Sequence, residues 1–297
     1  MSRRGGPPRD LAGETDLPVL LPAAAALQHR ARRERELGSA LPRLTWRHGL
    51  VLLLGLLVSA GLAQAQAGAA KEPVLEVIVR WLPVLLEGFL FNIVISVLAM
   101  AFGTLVGTWL GLMQISLLLP VRAGSWVVTQ FFRNAPWLVL LFYCMFLLPF
   151  ELRILGLTVP FPDWLKATIG LSLPVVANVS EIVRGAVNSI PSGQWEASES
   201  LAFNRRQVLW MIILPQCVKR MLPPWMNLYA ILTMATVLAS VVGVSEMMTQ
   251  AGRVLAAENR PELLIPIYSF VLLCFFLYCY PIARWTVALE RRFQVRL

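Results

Sequence analysis

The chain has 297 residues, of which 57% are hydrophobic and only 14% are charged. Ordinary soluble proteins carry roughly 25% charged residues, so the composition argues against a soluble two-domain protein and predicts one membrane domain. The formal net charge is +9, but the basic residues flank apolar stretches. We therefore attribute the charge to membrane orientation and predict no nucleic-acid partner.

The sequence contains no motif typical of nucleotide hydrolysis, covalent catalysis or metal binding. No G-x-x-x-x-G-K-[ST] phosphate loop and no G-x-S-x-G motif occurs, so we expect neither nucleotide hydrolysis nor covalent catalysis on this chain. The two histidines are isolated, and no cysteines form a CxxC pair, so no metal site or disulfide framework is predicted. The cysteines are Cys144, Cys217, Cys274 and Cys279.

The first part of the chain is polar and then apolar. Residues 1–47 are rich in arginine and proline and predict a poorly ordered cytoplasmic arm. The apolar run Leu50–Leu62, extended by small residues on both sides, can cross the bilayer. The stretch Ala63–Ala67 also resembles a signal-peptidase site, so an uncleaved anchor and a cleaved signal both remain open. Residues 48–83 are taken as this helix and an external loop.

The second apolar run, Gly88–Val121, is uncharged and longer than one span, so its end near Leu117–Pro120 is expected at the interface. Small residues recur in it every four positions. That spacing places them on one helix face, which predicts close packing against a neighbouring helix. They are Ala99, Gly103, Gly107 and Gly111.

Four more apolar runs complete a prediction of six spans. We expect the pair Pro223-Pro224 to break the helix before the fifth of them. If the amino terminus lies inside, twenty of the 26 basic residues fall in inside segments, which favours both termini in the cytoplasm. The four runs are Pro136–Phe150, Trp164–Val179, Met226–Val244 and Leu263–Ile282.

The longest inside loop, at about 181–222, is too polar to span the membrane but rich in large apolar residues. Such a surface usually docks against a partner. We predict a short helix over Glu196–Leu201, with Ser192 or Gly193 near its start, and a second over Gln207–Ile213, which ends before Pro215. The spacing alone equally allows an amphipathic helix that lies on the bilayer.

This loop resembles the EAA loop of ABC importer permeases, whose pattern is Glu-Ala-Ala, three residues, Gly, nine residues and Ile-x-Leu-Pro. The corresponding residues here are Glu196-Ala197-Ser198, Ala202 and Ile212-Ile213-Leu214-Pro215. Further segments resemble the polar amino-acid permease family over roughly 84–292. They are Phe132-Arg133-Asn134-Ala135-Pro136, Glu181-Ile182-Val183-Arg184-Gly185, Ile190-Pro191-Ser192-Gly193-Gln194, Leu238–Glu246 and Leu289-Glu290-Arg291-Arg292.

The resemblance implies an all-α integral membrane protein, a type I ABC importer permease bundle with a five-helix core plus one N-terminal helix. The permease domain would cover 84–292, with the coupling loop at about 190–215 and a tail at 293–297. In that family the loop docks into a separate ATPase. The resemblance assigns this docking to Glu196, Ala197, Ser198, Leu201, Ala202 and Phe203.

The resemblance also implies the rest of the machine. A dimer of ABC ATPase subunits would carry ATP and magnesium, and this chain would carry no cofactor. A second permease subunit, the same or related, would complete the pathway, and an extracytoplasmic solute-binding protein would deliver the solute. The chain would sit in the lipid of a bacterial inner membrane and import polar amino acids or related solutes by alternating access.

Two departures from the family pattern are apparent. The family's glycine is replaced by Ala202, and a left-handed backbone there would cost alanine roughly 1 kcal/mol. The family's Lys-Asp-Thr-Ser-Leu in the fifth span is replaced by Met234-Ala235-Thr236-Val237-Leu238, so two charges are missing. This subunit would then handle solute differently, or pair with a distinct permease that keeps the charges.

Four polar residues are candidates for the gate or the pathway. Glu181 and Arg184 are three residues apart and can pair on one helix face, either as a gate or as a structural ion pair. Asn92 and Asn178 lie in or at the end of apolar runs, where an unpaired amide is costly. Each either faces the pathway or bonds to a neighbouring helix.

Two other functions compete with the importer permease. A secondary transporter or channel that needs no ATPase predicts charged, discontinuous helices, which are scarce here, and leaves the EAA spacing unexplained. A membrane scaffold that recruits a soluble protein through the loop and moves no solute is compatible with the missing charges. The sequence leaves the particular solute undetermined.

Overall fold

The computed structural model describes residues 46–67, 72–154 and 157–293. Its contacts divide the chain into two units, Met1–His48 and Gly49–Leu297, and the architecture below is that of the second. The arm predicted over 1–47 falls almost entirely outside the described residues, as does the tail at 293–297 after Phe293.

The first two helices follow the first two apolar runs. Helix α1 (Trp46–Ala67) covers the predicted first span, and the segment that resembles a cleavage site forms its last turns. Helix α2 (Val74–Gln114) has 41 residues and is about 62 Å long, twice the hydrocarbon thickness. It begins at Val74, well before the start of the uncharged run at Gly88, and its early turns carry charged residues. Charged residues do not by themselves end a helix.

Two shorter helices and a hairpin follow. Helix α3 (Leu119–Asn134) ends where Ala135 is extended at φ −74° and ψ 137°, because the residue before a proline is sterically excluded from the helical region. Helix α4 (Trp137–Leu147) has 11 residues, about 16 Å, so the third predicted span is too short to cross the bilayer alone. Strand β1 (Glu151–Ile154) then pairs antiparallel with β2 (Leu157–Pro160). The sequence analysis did not predict this hairpin.

Helix α5 (Asp163–Asn188) is the central helix, and it packs against α2, α3 and α4. Most of its residues are buried, including Pro174 in its interior. It continues nine residues beyond the predicted end at Val179. Glu181 and Arg184 therefore belong to this helix, and the inside loop begins after it rather than at residue 181.

The chain after α5 forms the predicted loop and the fifth span. Helix α6 (Ser192–Ser200) is followed by the single turn α7 (Arg205–Gln207), a π-helical turn (Val208–Ile213) and helix α8 (Leu214–Ala235). The predicted break at Pro223-Pro224 is wrong, because α8 runs through both prolines. Proline leaves the carbonyls of Lys219 and Arg220 without a helical partner. Lys219 is exposed and Arg220 half-buried.

The last elements close the bundle. A 3₁₀ helix (Thr236–Val242) ends at Gly243, whose φ of 86° favours glycine. Helix α9 (Met247–Glu258), which the sequence analysis did not predict, is followed by a 3₁₀ turn (Pro261–Leu263) and helix α10 (Leu264–Phe293). Helix α8 packs against α5 and α10, and α9 packs against α2.

Among the described residues, four helical segments are long and apolar enough to cross a membrane. The apolar parts of α1 and α4 are shorter. The chain is thus a multi-pass membrane protein with a helical bundle, as the composition predicted. The four segments are Val74–Gln114, Asp163–Asn188, Arg205–Val242 and Pro261–Arg292.

The small residues of α2 form the predicted packing seam. A Cβ atom built on Gly107 would lie 2.6 Å from the Val176 carbonyl oxygen, and one on Gly111 would lie 2.7 Å from Cβ of Val183. Such separations are too short for real atoms, so only glycine allows α2 to approach α5 this closely. The prediction of a helix-packing face is confirmed.

Candidate functional site

The predicted docking loop is built on helix α6. The helix begins at Ser192, directly after Pro191, as predicted, but Glu196 lies in its second turn rather than in the first. The helix ends in a Schellman motif: the Ala202 N–H donates to the Glu199 carbonyl at 2.9 Å, and the Phe203 N–H donates to the Ser198 carbonyl at 3.3 Å.

Ala202 occupies the left-handed position of this motif. Its φ is 58°, the conformation that glycine adopts without a Cβ penalty. This is the position at which the resemblance predicts glycine. The backbone turn is therefore retained with alanine in it, rather than rebuilt, and alanine adopts the strained conformation.

A small apolar cluster supports the loop from below. Its buried members come from the end of α5 and from the chain that leads into α8, and Trp195 and Phe203 pack half-buried against it. Burial of these side chains fixes α6 relative to α5, since apolar burial is the main favourable contribution to such packing. The buried members are Ala186, Val187, Ile190, Val208, Ile213 and Cys217.

The six predicted docking residues divide into two groups. Ser198 is 2% exposed, and its hydroxyl donates to the Gln194 carbonyl at 2.6 Å. Phe203 is half-buried in the cluster beneath the loop. These two residues shape the loop. The other four are exposed, with Leu201 presenting 68% of its surface. They are Glu196, Ala197, Leu201 and Ala202.

The exit from the loop differs from the prediction. Asn204 caps α7 in a capping box: its side chain accepts from the Gln207 N–H, and the Gln207 side chain accepts from the Asn204 N–H. The predicted end of a helix before Pro215 is wrong. The chain stays helical through the π-helical turn, and Pro215 lies in the first turn of α8, where its missing N–H costs little.

Glu181 and Arg184 form an ion pair on α5. Arg184 donates to the two carboxylate oxygens of Glu181 at 3.3 Å from Nε and 2.6 Å from Nη2. Nη1 of Arg133 on α3 lies 3.6 Å from the same carboxylate. Two arginines from different helices therefore converge on Glu181, whose side chain is 13% exposed. This arrangement joins α3 to α5.

The same carboxylate borders a cavity of about 520 Å³, called the polar cavity here for its charged and amide groups, although apolar side chains line much of it as well. Asn178 lines it and donates to the Pro174 carbonyl of its own helix at 2.8 Å. Arg220 also lines it and donates to the Ser189 carbonyl at 2.6 Å, which ties α8 to the end of α5. The sequence analysis missed Arg220 and Asn227 as lining residues, because no motif links α8 to α5.

Asn92 lies elsewhere and is fully buried. Its Nδ2 donates to the Thr236 hydroxyl at 2.9 Å and to the Glu246 carboxylate at 3.0 Å, and its Oδ1 accepts from the Met247 N–H at 3.1 Å. Glu246 also caps α9 through the Met248 and Thr249 N–H groups. Asn92 thus bonds to neighbouring elements, the second of the two predicted alternatives, and it does not line the cavity with Glu181.

The described residues contain no group of three or more potential metal ligands. Their polar clusters consist of ion pairs and hydrogen bonds within or between helices. The described arrangement places charged and amide groups around one cavity and leaves the α6 surface exposed.

Comparisons with known proteins agree on one family. The family model described as "Binding-protein-dependent transport system inner membrane component" matches residues 119–295. The chain is 31% identical over 210 residues to the L-cystine transport system permease protein TcyB of Bacillus subtilis, covering 71% of this chain and 86% of that protein. It is 27% identical over 267 residues to the amino-acid ABC transporter permease YhdY of Escherichia coli, covering 84% and 72%.

Solved structures share the fold. The crystal structure of an amino acid ABC transporter with histidines aligns with a TM-score of 0.63 at 22% identity, covering 75% of this chain and 99% of that one. An inward-facing structure of the MetNI methionine ABC transporter aligns with a TM-score of 0.52 at 17% identity, covering 74% and 99%. The chain therefore belongs to the inner membrane components of binding-protein-dependent transport systems, the permease subunits of ABC importers.

Proposed function

We propose that this permease imports polar amino acids or closely related solutes by alternating access, driven by ATP hydrolysis on a separate ATPase. The amino-acid class is supported by the names of the relatives, which are described as cystine, glutamine and other amino-acid permeases. The coupling to ATP is supported by the observation on which the proposal depends: an exposed helix, α6, rigidly mounted on the end of the central helix α5.

The exposed face of α6 is proposed as the ATPase contact. Leu201 supplies an apolar side chain that costs free energy while it faces water, and burying it in a partner's groove recovers roughly 1.5–3 kcal/mol. Glu196 adds a charge that selects the orientation of the partner. Ala197 and Ala202 are small, so a partner backbone can approach between them.

The rigid mounting would transmit the partner's motion. Movement of α6 acts on the apolar cluster beneath it, and this cluster is shared with the last turns of α5 and the first turns of α8. Both helices line the polar cavity around Glu181 and Arg220. A displacement of the loop would therefore reach the cavity through packed side chains rather than through a flexible linker.

We propose the polar cavity as part of the solute pathway. A polar amino acid carries a carboxylate and an ammonium group, and the cavity offers guanidinium groups, a carboxylate and amides within one wall. Opening the Glu181 pairs would free charges of both signs for the solute. The gate role predicted for Glu181 and Arg184 is kept in this form, with Arg133 as a third member.

The remaining partners follow from the same proposal. A dimer of ATPase subunits would bind ATP and magnesium, a second permease subunit would complete the pathway, and a binding protein outside the cell would deliver the solute. We place the chain in a bacterial inner membrane with both termini on the cytoplasmic side. The excess of basic residues in the segments assigned to the inside supports this orientation.

A scaffold that moves no solute is the second candidate, favoured by one observation. Met234 and Ala235 stand where related permeases carry charges, and Met234 is 53% exposed in the described structure. A partner permease that keeps these charges would restore transport. Without such a partner, the subunit would bind the ATPase but would not transport the solute.

Uptake into proteoliposomes tests the proposed function. The chain would be purified from native membranes with its associated subunits, reconstituted and supplied with ATP and a binding-protein fraction. Radiolabelled cystine, glutamine and histidine would be offered, with a sugar as the control solute. ATP-dependent uptake of an amino acid supports the importer. Co-purified ATPase with no uptake supports the scaffold, and uptake without ATP contradicts both.

A further inference from the structure

A second cavity lies directly above the loop and is lined by positive charge. Its volume is about 460 Å³, within the range of small-molecule sites. Three arginines from three helices line it: Arg122 on α3, Arg184 on α5 and Arg205 on α7. No aspartate or glutamate lies among its lining residues.

The three arginines are compensated to different degrees. Arg184 is paired with Glu181. Arg205 donates to the Ile115 carbonyl at 3.1 Å, which is a neutral acceptor, so its charge stays uncompensated. Arg122 makes no ion pair with any residue that the structure describes. Arg122 and Arg205 are exposed, so water solvates both charges, and together they offer two positive charges to an anion that enters the cavity.

An unsatisfied amide provides a second indication of a ligand. Gln114 lines the cavity and is 4% exposed. Its Nε2 donates to the Thr129 and Ser180 hydroxyls, each at 3.0 Å, whereas its buried Oε1 has no hydrogen-bond partner. A buried acceptor without a donor costs roughly 1–3 kcal/mol. This oxygen is closed off as the side chain stands, so a ligand hydroxyl would satisfy it once the amide turns toward the cavity.

Two tryptophans border this pair of cavities, an arrangement typical of sites near a membrane surface. Trp195 lines it, and Trp126 lines an adjoining cavity of about 270 Å³ that shares Gln114, Arg122 and Arg184. Trp126 is 51% exposed on α3. Tryptophan is enriched where a protein meets the bilayer interface, and basic pockets between helices there bind lipid headgroups.

We propose that this cavity binds a phosphate ester that carries a hydroxyl group, the chemistry of a phosphoglycerol lipid headgroup. Arg122 and Arg205 bind the phosphate oxygens, since a guanidinium group matches phosphate in a bidentate manner. The headgroup hydroxyl donates to Oε1 of Gln114. The bound group links α3 and α5 to the turn that follows the loop. If the proposed coupling function holds, lipid composition then adjusts how rigidly α6 is mounted.

Native mass spectrometry of the purified transporter in detergent tests the site. Phosphatidylglycerol, phosphatidylcholine, glycerol 3-phosphate and inorganic phosphate would each be titrated onto the complex. We expect phosphatidylglycerol to be retained in preference to phosphatidylcholine. We expect Arg122→Gln and Arg205→Gln each to weaken this retention about fivefold, as expected for one lost basic contact.

Arg206→Gln is the matched control, because Arg206 is exposed, neighbours Arg205 and lines neither cavity. It should leave phosphatidylglycerol retention unchanged. Displacement of the lipid by glycerol 3-phosphate would support the same site with a soluble ligand as its source. Equal retention in all variants, or equal retention of both lipids, would overturn the proposal. Thermal unfolding without lipid identifies a variant that fails to fold, for which Arg122→Lys replaces Arg122→Gln.

This test does not depend on solute uptake. Lipid retention is measured without ATP, binding protein or amino acid, so its failure leaves the importer assignment standing. Failure of uptake with intact lipid retention would affect only the proposed function.

Discussion

The α2–α5 seam and the docking loop are both built around small residues, but they use them in opposite ways. In the seam, glycines remove side chains so that two helices touch along a buried face. In the loop, Ala197 and Ala202 are exposed and face no other part of the described structure closely enough to be buried. The seam is therefore complete within this chain, whereas the loop surface stays exposed and available for the proposed ATPase contact.

The largest loss of stability is expected at Asn92, a buried residue of α2 whose hydrogen-bond partners lie outside the seam. Replacing Asn92 with alanine removes the acceptor of the Met247 N–H and two hydrogen bonds to Thr236 and Glu246. We expect a loss of about 2–3 kcal/mol, since buried polar groups without partners are costly. Thermal unfolding in detergent measures it. Asn178→Ala is the control, since its one hydrogen bond lies within its own helix, and an equal loss in both variants would contradict this account.

The seam itself is tested at Gly107. Gly107→Ala places a methyl group 2.6 Å from the Val176 carbonyl oxygen and 2.8 Å from Cβ of Val179, so α2 and α5 must separate. Overpacking of this kind costs about 1–3 kcal/mol. The matched control is Gly124→Ala on α3, which meets nothing within 4 Å and should gain helix stability. Similar unfolding temperatures for the two variants would argue against a tight seam.

The smallest effect is expected in the loop. Ala202→Gly relieves the left-handed strain at φ 58°, and we expect it to stabilise the protein by about 1 kcal/mol or less, because glycine also gains entropy in the unfolded chain. The control is Ala197→Gly in the interior of α6, which should destabilise. A loss of stability with Ala202→Gly would mean that the turn does not need this conformation.

The sequence predicted features that depend on regular spacing. The four-residue recurrence from Ala99 to Gly111 predicted the seam, and the spacing from Glu196 to Pro215 predicted the loop. Sequence-based prediction failed where a local preference, such as that of proline for a helix end, was overridden by the packing of the fold. Pro223 and Pro224 signal a break, but α8 runs through both of them. Helix α9 was missed because Met247–Glu258 has no long apolar run.

Sites formed by distant segments were beyond prediction for another reason. Gln114, Arg122, Arg184 and Arg205 line one cavity only because α2, α3, α5 and α7 converge there. No spacing rule connects residues so far apart along the chain. Arg133 and Glu181 each belonged to a recognisable motif, but their pairing follows from the packing of α3 against α5. The sequence therefore indicated the docking loop better than it indicated the cavities.

Co-purification of the ATPase with a Leu201→Arg variant tests the central claim most directly. Leu201 is 68% exposed, so the substitution should leave folding intact while placing a charge in the proposed contact. Leu117→Arg is the matched control, since Leu117 is 70% exposed and lies outside the loop. We predict that the ATPase is lost from Leu201→Arg and retained by Leu117→Arg. Equal amounts of ATPase with both variants would contradict the assignment of the α6 surface to docking.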